Sequence, residues 1–176
     1  NQYMTKHNKI MKLNYIKAIR LKNYDALMYL GIYYLNMNKI NIARPLLENC
    51  LEVYNFNAAI YLGDLSFKIQ DYNSMLNYYL LAMKNNIFSA SLKLTEYYAI
   101  ISKDEKLMLK YANIAIENKL WEVYSILSMY YNDSKFWLSV DYMKRGTLQN
   151  DLNSLFIKYM MVNMIDDPNV IVLKYG

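Results

Sequence analysis

The sequence predicts an all-α chain built as an α-solenoid: antiparallel helix hairpins stacked one on the next, about four to five repeats of roughly 30–33 residues. Three observations carry this. The stretch Ala26-Leu27-Met28-Tyr29-Leu30-Gly31-Ile32-Tyr33-Tyr34 returns thirty-two residues later at Ala58-Ala59-Ile60-Tyr61-Leu62-Gly63, with weaker copies at Ala90–Tyr98 and Val123–Tyr131. Glycine and proline are scarce, four and two in 176 residues of which 55% are apolar, so turns are short and disorder is excluded. Each copy is trailed by a second stretch with apolar residues at helical spacing.

Taken in order, residues 5–22 read as a helix with Met11, Tyr15 and Ala18 on its inner stripe and Met4 extending it. Residues 24–36 form the first copy, with Leu27, Leu30, Gly31 and Tyr34 on one side. Glycine inside a helix costs about 1 kcal/mol against alanine, so Gly31 predicts close approach of a neighbouring helix. The next helix runs to about Tyr54 with Ala43, Leu47 and Cys50 inward, and Pro45 predicts a late start or a kink. The second pair spans 56–69 and 72–85, with Asp71 as N-cap. The third spans 88–101 and 104–118, where Ser102 and Glu105 have capping-box spacing. The fourth spans 121–132 and 134–148, with Phe136, Trp137, Val140 and Met143 apolar on its second helix before Lys144-Arg145-Gly146 breaks the pattern early. A fifth first-helix at 150–163 and a helix opened by Asp167-Pro168 complete one helical-repeat domain over 1–176, a piece of a longer repeat protein.

These residues resemble a tetratricopeptide-type repeat. The pattern is Leu-Gly, an aromatic three later, a small residue nine further on, a large apolar four later and a small one three after that. Leu30-Gly31, Tyr34, Ala43, Leu47 and Cys50 match it, as do Leu62-Gly63, Met75, Tyr79 and Ala82, with Ser66 in the aromatic place. Leu94-Thr95, Tyr98 and, after one inserted residue, Met108, Ala112 and Ala115 follow; Leu127-Ser128, Tyr131 and Val140 complete the set. The period of 32–33 and the Ala-x-x-x-Leu-Gly-x-x-Tyr core make the Sel-one-like repeat the nearest cousin, although that cousin's longer glycine-containing loop is absent. The resemblance implies a right-handed superhelix and a cytoplasmic, non-enzymatic interaction scaffold. A peptide or partner helix would lie in its concave groove. Met28, Ile32, Leu35, Ile60, Asp64, Phe67, Leu92, Glu96 and Met129 would line that groove, with Ala99, Ser125 and Asn132 beside them and Asp25 and Glu122 at the edge. A groove that is apolar with an acidic bias suits apolar anchors and a basic residue. The competing expectation is that these residues pack against further repeats or a homo-oligomer mate through the repeat ends.

No residue pattern calls for catalysis, a metal or a cofactor. His7 is the only histidine, so no multi-histidine zinc site can be built. Cys50 is the only cysteine, excludes an internal disulfide, and reads as core rather than nucleophile. No glycine-rich phosphate loop is present. The pairs Asp104-Glu105 and Asp166-Asp167 sit at helix starts, where capping and the helix dipole account for them. Asn132-Asp133-Ser134 reads as a turn, and Trp121 and Trp137 as anchors of helix contacts. An unrecognised hydrolase has no positive support.

The net charge of +5 is uneven. The first 24 residues carry Lys6, Lys9, Lys12, Lys17, Arg20 and Lys22 and no acid. Nucleic-acid binding through Lys6, Lys9, Lys12 and Lys17 is the alternative function, weighed below a solvated outer face because RNA-reading repeats need polar base contacts in each repeat. No apolar run approaches the roughly 18–20 residues of a membrane span. The excess of Asn, Lys, Ile and Tyr, with Lys far above Arg, is the coding bias of a very AT-rich genome such as those of large DNA viruses of amoebae, which would place the protein in host cytoplasm.

Overall fold

The computed structural model describes residues 2–149 and 155, with side chains from Ile10 onward. Among them the chain is all helical and without strands: α1 (Gln2–Arg20), α2 (Tyr24–Asn36), α3 (Ile40–Glu52), α4 (Ala58–Lys68), α5 (Tyr72–Lys84), α6 (Ala90–Tyr97), a π-helical turn (Tyr98–Ser102), α7 (Glu105–Glu117), α8 (Val123–Tyr131) and α9 (Phe136–Leu148). The expected helices at 150–163 and after Asp167-Pro168 lie outside the described residues, except that Leu155 is helical and exposed. Two compact units are formed, Asn1–Ala90 and Ser91–Gly176.

The repeated signature is also a repeated burial pattern. Leu30, Leu62, Leu94 and Leu127 are all buried, and so are Gly31, Gly63, Thr95 and Ser128 directly after them. On the second helices, Ala43, Leu47 and Cys50 are matched by Met75, Tyr79 and Ala82 and by Met108, Ala112 and Ala115, all buried. The physical cause is the shared period: apolar residues at i, i+4 and i+7 form one stripe, and a hairpin buries two such stripes together.

In the first unit, α2 packs on α3, α4 on α5, and α3 on α4. Met28, Leu47, Cys50, Ala58 and Leu62 form one core cluster; Leu30, Tyr34, Leu35, Ala43 and Leu65 form another. Helix α1 covers the second cluster with Tyr15, Ile16 and Ile19. The stripe predicted for α1 omitted the two isoleucines. Gly31 and Gly63 give the close approach that the sequence implies. A Cβ on Gly31 would meet Leu47 Cγ at 2.8 Å, and one on Gly63 would fall among the ring atoms of Tyr79. Pro45 produces no late start, because α3 already begins at Ile40. Pro45 and Asn41 are both exposed, so water can reach the Asn41 carbonyl that the proline nitrogen cannot bond.

Helix ends are closed by a recurring device. Lys22, Asn38, Tyr54, Gln70, Asn86, Lys103 and Lys119 have φ between 54° and 63° and stand sixteen residues apart, with a single interval of seventeen. The following amide reaches back five residues at six of these sites: Asn23 to Ala18, Lys39 to Tyr34, Asn55 to Cys50, Asp71 to Ser66, Ile87 to Ala82 and Leu120 to Ala115. This is the Schellman closure, which satisfies carbonyls a helix end would otherwise leave unpaired. None of the seven is glycine, and only the two asparagines are residues that tolerate this region well. Lys119→Gly is therefore expected to stabilise the protein. Relief of a Cβ penalty of about 1–2 kcal/mol is partly offset by about 0.5–1 kcal/mol of glycine chain entropy. A higher urea midpoint at unchanged m value would register the gain.

In the second unit, Ala99, Met108, Ala112, Ala115, Val123, Tyr124, Leu127 and Tyr131 form the core. The seventeen-residue interval falls here. Asp104 N reaches back six residues to Tyr98 O, and the extra residue is taken up in the π-helical turn Tyr98–Ser102. The capping box expected of Ser102 is replaced by Asp104, whose side chain accepts from Leu107 N at 3.0 Å. Asp71 caps α5 as its position predicts, accepting from Ser74 N at 3.1 Å, and Asn23 caps α2 in the same way.

Helix α9 ends at Leu148 as expected, and its buried stripe is Ser139, Met143 and Gly146, which corrects the expected break in the pattern at Lys144-Arg145-Gly146 and the placing of Val140 in the stripe. The stripe keeps the usual four-then-three spacing, displaced one residue before Val140, so Gly146 occupies the small-residue position and is no breaker. The turn before it lacks a left-handed cap and closes with Lys135 N on Tyr131 O. Ser139 Oγ then donates to Ser128 O at 2.8 Å and lies 3.1 Å from Ser128 Oγ, a buried polar pair joining α8 to α9. Trp121 stacks on Tyr124 at 6.3 Å, but Trp137 is 74% exposed and anchors no core.

Candidate functional site

The nine residues expected to line a groove fall into three groups. Met28 and Leu35 are corrected to core positions: Met28 packs with Leu47 and Leu62, and Leu35 with Ala43 and Leu65. Ile32 and Leu92 are half-buried against the core of their own unit, and Ile60 is half-buried. Asp64 is also half-buried and accepts the Tyr79 hydroxyl at 2.7 Å, a bond across the α4–α5 hairpin. Phe67 is 42% exposed and lies 6.0 Å from the Tyr72 ring. Glu96 and Met129 are exposed, and they meet in one place.

That place is an open cleft of about 560 Å³ in the second unit, between the α6–π-turn segment and α8. Its apolar lining is Ala99, Ile100, Ile126, Met129 and Tyr130; Glu96, Lys103, Asp133 and Ser134 supply its polar groups. Met129 is 67% exposed and Ile100 57%, so two large apolar side chains are open to solvent in one cleft. Ala99 is buried and small, which lets α8 approach the π-helical turn. Tyr130 ties the cleft to the core through an edge contact with Tyr131 at 4.9 Å. Of the residues placed beside the groove, Ala99 lines the cleft, Ser125 is buried and donates to Glu122 O, and Asn132 bonds Asp133 Oδ1 within the exposed turn. Sequence reasoning missed Ile100, Ile126 and Tyr130. Ile100 stands beside the inserted residue, which was the available signal.

A polar lock braces the same unit. Tyr131 Oη donates to Glu105 Oε1 at 2.7 Å, and Lys135 Nζ donates to the same oxygen at 2.9 Å while lying 5.0 Å from the Tyr131 ring centre. Lys135 first, then Tyr131, hold the Glu105 carboxyl below the usual range. Burial first, then the Glu105 hydrogen bond, push the Tyr131 phenol up. Because the folded carboxyl is the stronger acid, its contribution is present above the ordinary glutamate pKa and is lost as pH falls through the depressed folded value. Glu105→Gln is therefore expected to lower stability at neutral pH and to flatten the acid limb of a Tm-against-pH profile.

Burial first, then the Asp25 charge, push the Cys50 thiol up to about 11, which suppresses the thiolate. Among the described residues, no group of three or more His, Cys, Asp or Glu could hold a metal ion, and no helix is long and apolar enough to cross a membrane. On α1, Lys12 and Lys17 are both exposed, and Lys12 Nζ lies 5.5 Å from the Tyr34 ring centre. The Lys6, Lys9 and His7 side chains lie outside the described residues. No family model, curated protein or solved structure matches this chain.

Proposed function

We propose that the chain is a non-enzymatic interaction module of tetratricopeptide type, a right-handed solenoid of the cytoplasm that holds a short segment of a protein partner. The observation that carries the reading is the cleft between the third and fourth first-helices, with exposed Met129 and Ile100 beside Glu96 and Asp133. Its two carboxylates against one lysine favour a segment that offers an apolar anchor and a basic residue. The Leu-Gly register and the paired helices support the family reading. Nucleic acid is the weaker candidate, since the cleft lining is mainly apolar and carries two carboxylates against one lysine.

Selection of a displayed random peptide library on the immobilised protein tests this. The expected result is enrichment of peptides pairing a large apolar residue with Lys or Arg, lost against Met129→Glu. Against Glu96→Lys with Asp133→Lys, acidic peptides should replace basic ones. A selection that enriches nothing, or that returns the same peptides against Met129→Glu, rejects the reading.

A further inference from the structure

We propose that the one-residue insertion in the third hairpin is the recognition element of the cleft: it builds the π-helical turn that presents Ile100 to an apolar side chain of a basic peptide. This rests on the peptide-binding reading above. Three observations converge. The left-handed closures keep a sixteen-residue spacing everywhere except across this turn, where one residue is added. The added residue leaves the second-helix stripe unchanged: Met108, Ala112 and Ala115 keep the same internal spacing as Met75, Tyr79 and Ala82, and all are fully or nearly fully buried. It falls beside the cleft, where Ile100 is exposed and forms part of the wall.

A π-helical turn has poorer hydrogen-bond geometry than the α-helix it interrupts, and such turns concentrate at functional sites. Here Ile100, within the turn, lines the cleft together with Met129 of α8. Lys103, left-handed at φ 54°, ends the wall. The segment from Glu96 to Lys103 runs on the order of 10 Å at a helical rise of about 1.5 Å per residue. That length matches about three extended residues of a bound peptide at about 3.3 Å each, enough for one apolar anchor with a basic neighbour at Glu96 or Asp133.

The test is deletion of Ile101, which restores the sixteen-residue spacing, together with Ile100→Ser, which leaves the turn in place. Binding is read by fluorescence anisotropy of a fluorescein-labelled synthetic copy of the most enriched peptide, and stability by thermal unfolding of the full chain. The expected result is cooperative unfolding at an equal or higher Tm for the deletion variant, with at least tenfold weaker peptide binding by both variants. Unchanged binding by either variant would overturn the inference while leaving the peptide-binding reading intact. Loss of cooperative unfolding on deletion would also overturn it, because the extra residue would then serve the fold. Failure to recover any peptide from the library falls on the earlier reading and is distinct from both.

Discussion

Gly63→Ala should destabilise the protein by about 1–3 kcal/mol, although alanine is the better helix former. The new Cβ would lie 2.6 Å from Tyr79 Cδ1 and 2.9 Å from Cζ. A ring is rigid, and this one is held by its hydroxyl on Asp64 at 2.7 Å. Overpacking of this kind costs about 1–3 kcal/mol, and moving the ring forfeits a hydrogen bond of about 1 kcal/mol. The helix-propensity gain of about 1 kcal/mol offsets only part of this. Urea unfolding measures the loss. A Gly63→Ala/Tyr79→Ala double variant should be less destabilised than the two single changes added together, by about 1 kcal/mol or more; strict additivity would show that the two residues do not oppose each other. The third hairpin illustrates the rule, with Thr95 where the glycine stands and Ala112 where the ring stands, both fully buried.

The second large effect is expected at Tyr131. Its side chain is 1% exposed, lies 5.8 Å from Tyr142 in a near-parallel stack, and ends on Glu105. Tyr131→Ala removes a buried aromatic ring and should cost about 3–5 kcal/mol. Tyr131→Phe keeps the stack, loses only the hydroxyl, and should cost about 1 kcal/mol. Guanidinium titrations of the two variants separate these contributions. Equal losses would mean that the hydroxyl, and not the ring, dominates the site.

Much of this architecture could be read from residues alone, for a definite reason. Burial of one helix face demands apolar spacing of three and four, and Leu30, Leu62, Leu94 and Leu127 with their small neighbours record it directly. Closure of the helices left no such trace. The positions with positive φ are mostly Lys, Tyr and Gln, none of which signals a left-handed turn, because the hydrogen bonds that hold them are made by backbone atoms. The turn after α8 was misjudged by one residue for the same reason: Ser139, and not Val140, faces α8, and a serine pair there satisfies itself. Two of the groove positions failed on a different ground. Met28 and Leu35 sit on a first helix, where the resemblance to tetratricopeptide repeats leads one to expect a free face, yet both are packed within core clusters of the first unit. Glu96 and Met129, expected from the repeat register, line one cleft, while Ile100 beside them depended on where an inserted residue would be absorbed.

The separate closure of each helix has a consequence for how such a chain tolerates change in length. Because every rod stops on bonds made within its own last turn, a residue gained or lost in one segment is corrected before the following segment begins. The interval from Lys103 to Lys119 is again sixteen, immediately after the irregular one. Phase errors are thus quarantined, and a protein of this design can acquire a new surface feature at one hairpin while its neighbours keep their own count.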